Sequence, residues 1–367
     1  MTTSSGDASS GLGPGAPGGP AKRATILDVA AAAGVSRQTV TRAMNAMPGI
    51  RQETRERVQE TARQLGYTPS RFAKGLVQGA RTSVGLAIPD LTNPYYPAFA
   101  SSVVELATQR GWHVVMDDYG HGGATGVESV QHLAPQVDAV IGYLGGAADE
   151  AQAILGRRPL VVLDQPAGSA SGGITFDYAH AARTALEHLQ ARGCRQLAYI
   201  DRAGTDHGAP EPVHDGGPRP GPGPVQGVVT VRGQAFARGA AAAGVALAVS
   251  VSPESAAAAR QVTRRLLDEH PGTDGIVVFN DLMAAGVLKA LADSGRAVPA
   301  DCAVIGMDGI PLGELLTPEL TTLALDLREV GRAAVELLDG LLTGSLNPAG
   351  PGTELVLRHQ LVLRQSA

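Results

Sequence analysis

The spacing of apolar residues along the chain changes near Thr82. Before that point they recur every three or four positions, the period of a helix with one buried face. Ile26, Val29 and Ala30 share a face in a first short helix that Thr25 can cap and Gly34 ends; Ser36 can cap a second, running to about Asn45. A third is expected over about Gln52 to Gln64, with Val58, Ala62 and Leu65 at helical spacing and Gly66 as its stop. A further short helical stretch, SRFAKGLVQ, follows Pro69. After Thr82 the apolar residues gather into continuous runs (VGLAIP, WHVVMD, AVIGYL, LVVLDQ, LAYID, GIVVFN, AVIGMD), separated by stretches such as FASSVVELATQRG and MAAGVLKALADSG. Unbroken Val/Ile/Leu runs belong to strands buried on both faces, and helices between them make the strands parallel, so the class is a doubly wound α/β fold. About seven such units are too many for one open sheet, which predicts two similar subdomains. Ligands in such folds sit beyond the carboxyl ends of strands, and Asp90, Asp164, Asn280, Asp281 and Asp308 stand directly after these runs.

Two stretches break the pattern. Residues 1–20 and 203–226 hold 9 of the 24 prolines in 44 positions and almost no large apolar side chains, so they are expected to be disordered, the second as a surface insertion. The GxGxxG string at Gly13–Gly18 lies in the first, carries Pro14 and Pro17 and has no preceding strand, and is not read as a nucleotide site. The 367 residues, at 44% hydrophobic, suffice for a large core without disulfide or metal staples. Cys194 and Cys302 form neither a CxxC nor a Cys/His cluster, so no metal site is expected and a reducing, cytoplasmic compartment is favoured. No run approaches membrane-spanning length and no secretory leader is visible, so no membrane partner is expected. No nucleophile with a spaced base and no phosphate-cradling loop is present; the chain is read as a non-enzyme without catalytic residues or cofactors.

Charge divides the chain further. Between Lys22 and Lys74 ten basic residues face four acidic ones, a balance of +6, so the rest carries -5 minus 6, or -11. A basic module that meets a polyanion, joined to an acidic body, has this signature. Within it Ala30, Gly34 and Val40 have helix-turn-helix spacing: close approach, turn, and packing of the second helix on the first. The string TILDVAAAAGVSRQTVTRAMNAMPGIRQETRERVQETARQLGYTPSRFAKGL, Thr25 to Leu76, resembles the DNA-binding headpiece of the LacI/GalR family of bacterial transcriptional regulators. The resemblance implies that Arg37, Gln38 and Arg42 read bases and that Ser36, Thr39, Thr41 and Asn45 meet phosphates, with Thr25 also among the DNA contacts. Arginine can bond guanine and glutamine adenine bidentately from the first turn of such a helix. It also implies a hinge helix after Pro69, in which Leu76 wedges into the minor groove, Ala73 allows close approach and Arg71 and Lys74 face phosphates. Arg51 departs from the family's usual Ser or Thr cap on the third helix.

From Thr82 the strings GLAIPDLTNPYYPAFA, FDYAHAARTALEHLQARG, RGQAF, FNDLMAAGVLKALADSGRAVPADCAVIGMDG and LLTPELTTL resemble the family's effector-binding core, similar to periplasmic sugar-binding proteins. This implies a tail at 1–22, a headpiece at 23–68, a hinge and linker at 69–80, and a core at 81–367. Within the core, an N-subdomain of about 81–185 plus 325–348 joins a C-subdomain of about 186–324 plus 349–367, crossed three times by the chain. Residues matching pocket positions are Asp90, Asn93, Tyr95, Tyr96, Asp177, Arg232, Asn280 and Asp308. Their chemistry suits a sugar, with carboxylates and amides for hydroxyls, a bidentate arginine, and tyrosines to stack; it would also suit a nucleobase or a small acid. A polar residue at a strand end can equally be a helix cap. The expectation is therefore a dimeric repressor that binds a pseudo-palindromic operator under control of a small-molecule effector, a carbohydrate. A periplasmic-type solute-binding protein is the alternative; it would carry a leader and no basic headpiece. No heptad-patterned helix follows LVLRQSA, so a homodimer is preferred over a coiled-coil tetramer.

Overall fold

The computed structural model describes residues 26–44, 49–65, 81–120, 123–203, 230–348 and 350–367. The expectations for the tail, for Thr25 and Asn45, for the hinge residues Arg71, Ala73, Lys74 and Leu76, and for most of the 203–226 insertion lie outside these residues. The chain divides into two units, Met1–Ala80 and Arg81–Ala367.

In the first unit, α1 (Ile26–Ala33), α2 (Arg37–Met44) and α3 (Gln52–Gln64) enclose a core of Val29, Ala30, Ala33, Val40, Ala43, Val58 and Ala62. Gly34 ends α1 with φ +64, while the Gly34 amide bonds Ala31 O at 3.3 Å and the Val35 amide bonds Ala30 O at 3.0 Å. That is the glycine-dependent helix stop whose left-handed residue a side chain would strain. Ser36 caps α2 by accepting the Thr39 amide at 3.1 Å. Leu65, counted with the inward face, instead follows α3 as its C-cap and is 40% exposed, because the helix ends at Gln64. Arg51 has the extended backbone of an N-cap, φ -62 and ψ 143, but no side-chain bond to the helix. Substituting Arg51→Ser should therefore stabilise the headpiece by about 0.5–2 kcal/mol. Slower hydrogen exchange of the α3 amides would report it; unchanged exchange would mean that the first turn is already satisfied.

The second unit contains two six-stranded sheets. The first is formed by β1 (Ser83–Ile88), β2 (His113–Asp118), β3 (Ala139–Tyr143), β4 (Leu160–Leu163), β5 (Gly172–Phe176) and β11 (Glu354–Leu357), in the order β11-β5-β4-β3-β1-β2 and entirely parallel. The second contains β6 (Leu197–Arg202), β7 (Leu247–Ser252), β8 (Gly275–Val278), β9 (Ala303–Asp308), β10 (Thr321–Ala324) and β12 (Gln360–Val362), in the order β12-β10-β9-β8-β6-β7. Only β12 runs antiparallel, against β10. Helices α4 (Tyr95–Gln109), α5 (Gly126–Leu133), α6 (Ala148–Leu155) and α12 (Leu327–Thr343) cover the first sheet; α7 (Tyr178–Ala191), α8 (Val231–Ala243), α9 (Ala256–Glu269) and α10 (Asp281–Asp293) belong with the second, as does the short α11 (Leu312–Leu315).

Successive strand residues feed opposite cores, as the two-residue period requires. Val84, Leu86 and Ile88 join one cluster with Phe99 and Val103, while Ala87, Val140 and Val162 join another with Val130 and Leu155. In the second sheet Ala198, Ile200, Ile276 and Val278 share a cluster with Val262, Met283 and Val287.

Crossings between sheets fall after Phe176, after Ala324 and after Leu357. The subdomain limits at 185 and 348 therefore shift. All of α7 packs with α8 and β12, and β11 pairs in parallel with β5, so residues 354–357 belong to the N-subdomain. Each sheet reverses its strand order once, between β1 and β3 and between β6 and β8, and a crevice opens at such a point.

Candidate functional site

Two surfaces qualify. On the headpiece, α2 turns Val40 and Ala43 inward and leaves Arg37, Gln38 and Arg42 exposed on its first two turns. No carboxylate among the described residues pairs with Arg37 or Arg42. The hydroxyls of Ser36 and Thr39 bond each other at 2.9 Å, and that of Thr41 donates to Arg37 O at 3.1 Å, so all three are oriented by the helix itself.

In the core, a cavity of about 520 Å³ lies between the two sheets, at the carboxyl ends of their strands. Its lining includes Tyr95, Tyr96, Tyr119, Tyr143 and Tyr178, five of the seven tyrosines in a chain with 4% aromatic residues, together with Phe176 and Phe279. Tyr96 and Tyr143 meet edge to face at 5.3 Å, and the hydroxyls of Tyr95 and Tyr143 are 2.7 Å apart. Burial pushes the Tyr119 hydroxyl up to about 12; it donates to Tyr143 O at 2.6 Å. These rings give the wall apolar faces with neutral polar tips.

Arg232, in the first turn of α8, is the central cation. Thr230 sets its position, because its hydroxyl accepts the Gly233 amide at 3.0 Å and donates to the buried Asp201 at 2.7 Å. Arg232 Nε donates to the Tyr178 hydroxyl at 3.0 Å, and one terminal nitrogen donates to Phe279 O at 3.0 Å and lies 3.3 Å from Asp308 Oδ1. The other is 3.8 Å from Asp164 Oδ2. The guanidinium also lies over the rings of Phe279 and Tyr178, at 4.5 and 5.3 Å. Burial pushes the Asp308 carboxyl up, and the adjacent guanidinium pulls the other way.

Asp164 at φ +59 and Asp308 at φ +117 are the two non-glycine residues with left-handed backbone among the described residues, and both flank Arg232. Strain of this kind concentrates at ligand sites. Asp308 is held from behind by Asp281, whose Oδ2 accepts the Gly309 and Ile310 amides at 2.9 and 3.0 Å and whose Oδ1 accepts the Thr322 hydroxyl at 2.6 Å. Burial pushes Asp281 up to about 7 against these three donors. Gly306 leaves room for it, since a Cβ there would collide with Asp281 Oδ1.

The opposite rim is built on Glu254, just past β7. One of its oxygens accepts both Asn93 Nδ2 at 2.9 Å and Asn280 Nδ2 at 2.8 Å, and the other is 3.8 Å from Arg202. Asn93 follows β1 and Glu254 belongs to the second sheet, so this bond spans the crevice. The Asp164–Tyr178 hydrogen bond, 2.6 Å, spans it as well. Each asparagine commits its carbonyl oxygen to a helix start, Asn93 to the Tyr95 amide at 3.1 Å and Asn280 to the Met283 amide at 2.9 Å. Behind Phe176 and Tyr178 the buried His359 ring sits 5.9 and 5.6 Å from theirs, and burial lowers its pKa to about 3, so it serves as a neutral aromatic.

Six of the eight expected pocket residues, Asn93, Tyr95, Tyr96, Arg232, Asn280 and Asp308, line this cavity. Asp90 and Asp177 do not. Asp90 accepts the amide and hydroxyl of Thr92 at 2.7 and 2.6 Å, and Asp177 caps α7 through the His180 amide at 2.9 Å and pairs with Arg358 at 3.1 Å. Asp90 thus closes a local turn and Asp177 serves a helix start, the reading expected of a strand-end carboxylate being met at Asp177. Sequence reasoning missed Arg202, Glu254, Tyr119, Tyr143 and Tyr178. The strand-end rule would have found Glu254 had LAVSVS been recognised as β7, but that edge strand is only half-buried and carries two serines. Among the described residues no group of three or more His, Cys, Asp or Glu could hold a metal, and no helix is long and apolar enough to cross a membrane.

Comparison with known proteins fits both surfaces. Residues 25–70 match the family model of bacterial regulatory proteins of the lacI family, and residues 186–367 match a periplasmic binding protein-like domain. The ribose operon repressor of Halalkalibacterium halodurans is 32% identical over 318 residues, 86% of this chain and 89% of that protein. Catabolite control protein A of Priestia megaterium is 29% identical over 348 residues, 93% and 98% of the two chains. Among solved structures, a LacI family transcriptional regulator from Arthrobacter sp. FB24 in complex with lactose has 59% identity and a TM-score of 0.71, over 78% of this chain and 100% of that one. The lac repressor dimer bound to operator and the anti-inducer ONPF has 26% identity and a TM-score of 0.65, over 94% and 99%. With a helix-turn-helix headpiece joined to a two-sheet periplasmic binding protein-like core, the chain belongs to the LacI family of bacterial regulatory proteins.

Proposed function

We propose that the chain is a dimeric, cytoplasmic repressor whose hold on a pseudo-palindromic operator is set by a saccharide in the crevice of the core, and that it binds this effector without turning it over. The observation that carries the reading is the pairing, in one chain, of the exposed Arg37, Gln38 and Arg42 on α2 with a crevice lined by five tyrosines. The relatives support each half: repressors of a ribose operon, a repressor dimer on operator, and a lactose complex at 59% identity. Asn93, Tyr95, Tyr96, Arg232, Asn280 and Asp308 would bind the effector, joined by Asp164, Arg202 and Glu254. Arg37, Gln38 and Arg42 would read bases; Ser36, Thr39, Thr41 and, outside the described residues, Thr25, Asn45, Arg71, Ala73, Lys74 and Leu76 would complete the DNA contacts.

Binding couples the two sites reciprocally: an inducing sugar must bind more weakly when operator is bound, and a co-repressor more tightly. Genome-wide binding with and without candidate sugars tests the reading, and bound fragments that share no palindromic site would overturn it. On the operator so found, Arg37→Ala should weaken binding by about 1–3 kcal/mol and relax preference at one base pair. A loss equal on all sequences would instead make Arg37 a phosphate contact.

A further inference from the structure

The charges around the crevice carry information about the effector itself. Four carboxylates line it, Asp149, Asp164, Glu254 and Asp308, against two cations, Arg202 and Arg232, a formal balance of 2 minus 4, or -2. Both cations are already engaged: Arg232 with Asp308 and Asp164, and Arg202 with Glu254. Helix starts, the other usual anion sites, are partly capped. Near the cavity one amide in the first turn of each of α4, α7, α8, α9 and α10 receives a side-chain oxygen, from Asn93, Asp177, Thr230, Ser255 and Asn280 in turn. The start of α6 carries Asp149 and Glu150 in its first turn.

We infer that the effector bears no negative charge, and that Glu254 is the specificity residue that turns away phosphorylated or carboxylated sugars at the rim where Asn93 and Asn280 meet. This rests on the saccharide reading above and narrows it to neutral or amino sugars. An anion entering here would meet four carboxylates and, among the lining residues, no cation that is not already paired, and like charges set against a ligand weaken its binding. Hydroxyl groups face no such barrier, since they can donate to the carboxylates and accept from the two amides.

The test uses the full chain and titration calorimetry with lactose, cellobiose, maltose and ribose, followed by the aldonate and the phosphate ester of whichever sugar binds. The charged derivatives should bind at least tenfold more weakly than the neutral sugar. Glu254→Gln keeps an oxygen to accept from Asn93 and Asn280 but removes the charge, and should shrink the ratio to within threefold; Glu254→Asp, which keeps the charge, should preserve much of it. Thermal melts establish that both variants fold. A charged derivative that binds as tightly as its parent sugar overturns this inference alone, as does a ratio that Glu254→Gln leaves unchanged. If no saccharide binds, the effector reading falls and this inference falls with it.

Discussion

Arg232→Ala should abolish detectable effector binding, a loss of at least a hundredfold or ~2.8 kcal/mol, and leave operator binding unresponsive to sugar. The same substitution should destabilise the core by roughly 3–5 kcal/mol, the usual cost of removing one partner from a buried ionic cluster. The lower end is expected, because burial already pushes Asp308 toward its protonated form, which can absorb the lost charge. Arg232→Lys separates the two effects. A lysine can still neutralise Asp308, but it cannot bond Tyr178, Phe279 O and two carboxylates at once while lying over two rings, so stability should recover more than sugar binding does. Calorimetry and urea denaturation read the two quantities on one sample. Sugar affinity within tenfold of wild type in Arg232→Ala would remove Arg232 from the site.

The second large effect is expected far from any ligand contact. Asp281→Ala strands two backbone amides and a buried hydroxyl, each worth about 1–3 kcal/mol when left without a partner, and should cost roughly 3–5 kcal/mol in total. It also frees the turn after Asp308, so effector affinity should fall with stability. Asp281→Asn, whose oxygen can take both amides while its NH2 meets the Thr322 hydroxyl, should restore most of both. The pH dependence has a definite sign. Because burial raises Asp281 from 3.8 to about 7, its native form favours the proton; the associated stability is complete below pH 3.8 and is lost as pH rises through about 7. Asp281→Asn should flatten that stretch of the stability profile, and an unchanged slope would mean that the three donors hold the carboxylate ionised throughout.

Much of this architecture was legible in the residues. Helical spacing around Val29, Val40 and Val58 and the turn at Gly34 outlined the headpiece, and unbroken runs such as VGLAIP and AVIGMD gave central strands of the two sheets. The strands that escaped notice are short and glycine-bearing or half-polar: GGITF and TTLA inside the sheets, LAVSVS and ELVL at their edges. Their pairing is decided by neighbours remote in sequence. The pocket divides in the same way. Asn93, Asn280 and Asp308 follow recognisable strands, whereas the role of Glu254 depends on Asn93, 161 positions away, and that of Tyr178 on Arg232, 54 away. Asp90 and Asp177 look identical in sequence to the strand-end residues that line the cavity, because a carboxylate after a strand serves a turn or a helix start as readily as a ligand.

The triple crossing between the sheets has a consequence for how the protein is made. Its last two strands, β11 and β12, finish different sheets, so the first half of the core is incomplete until synthesis has passed Leu357 and the second until it has passed Val362. The headpiece helices and their own core are complete by Leu65. At roughly 5–20 residues per second, on the order of 15–60 s separates these two events. A nascent chain thus carries a folded headpiece for most of its translation without a finished core, and control of the headpiece by the core is the last property the molecule acquires.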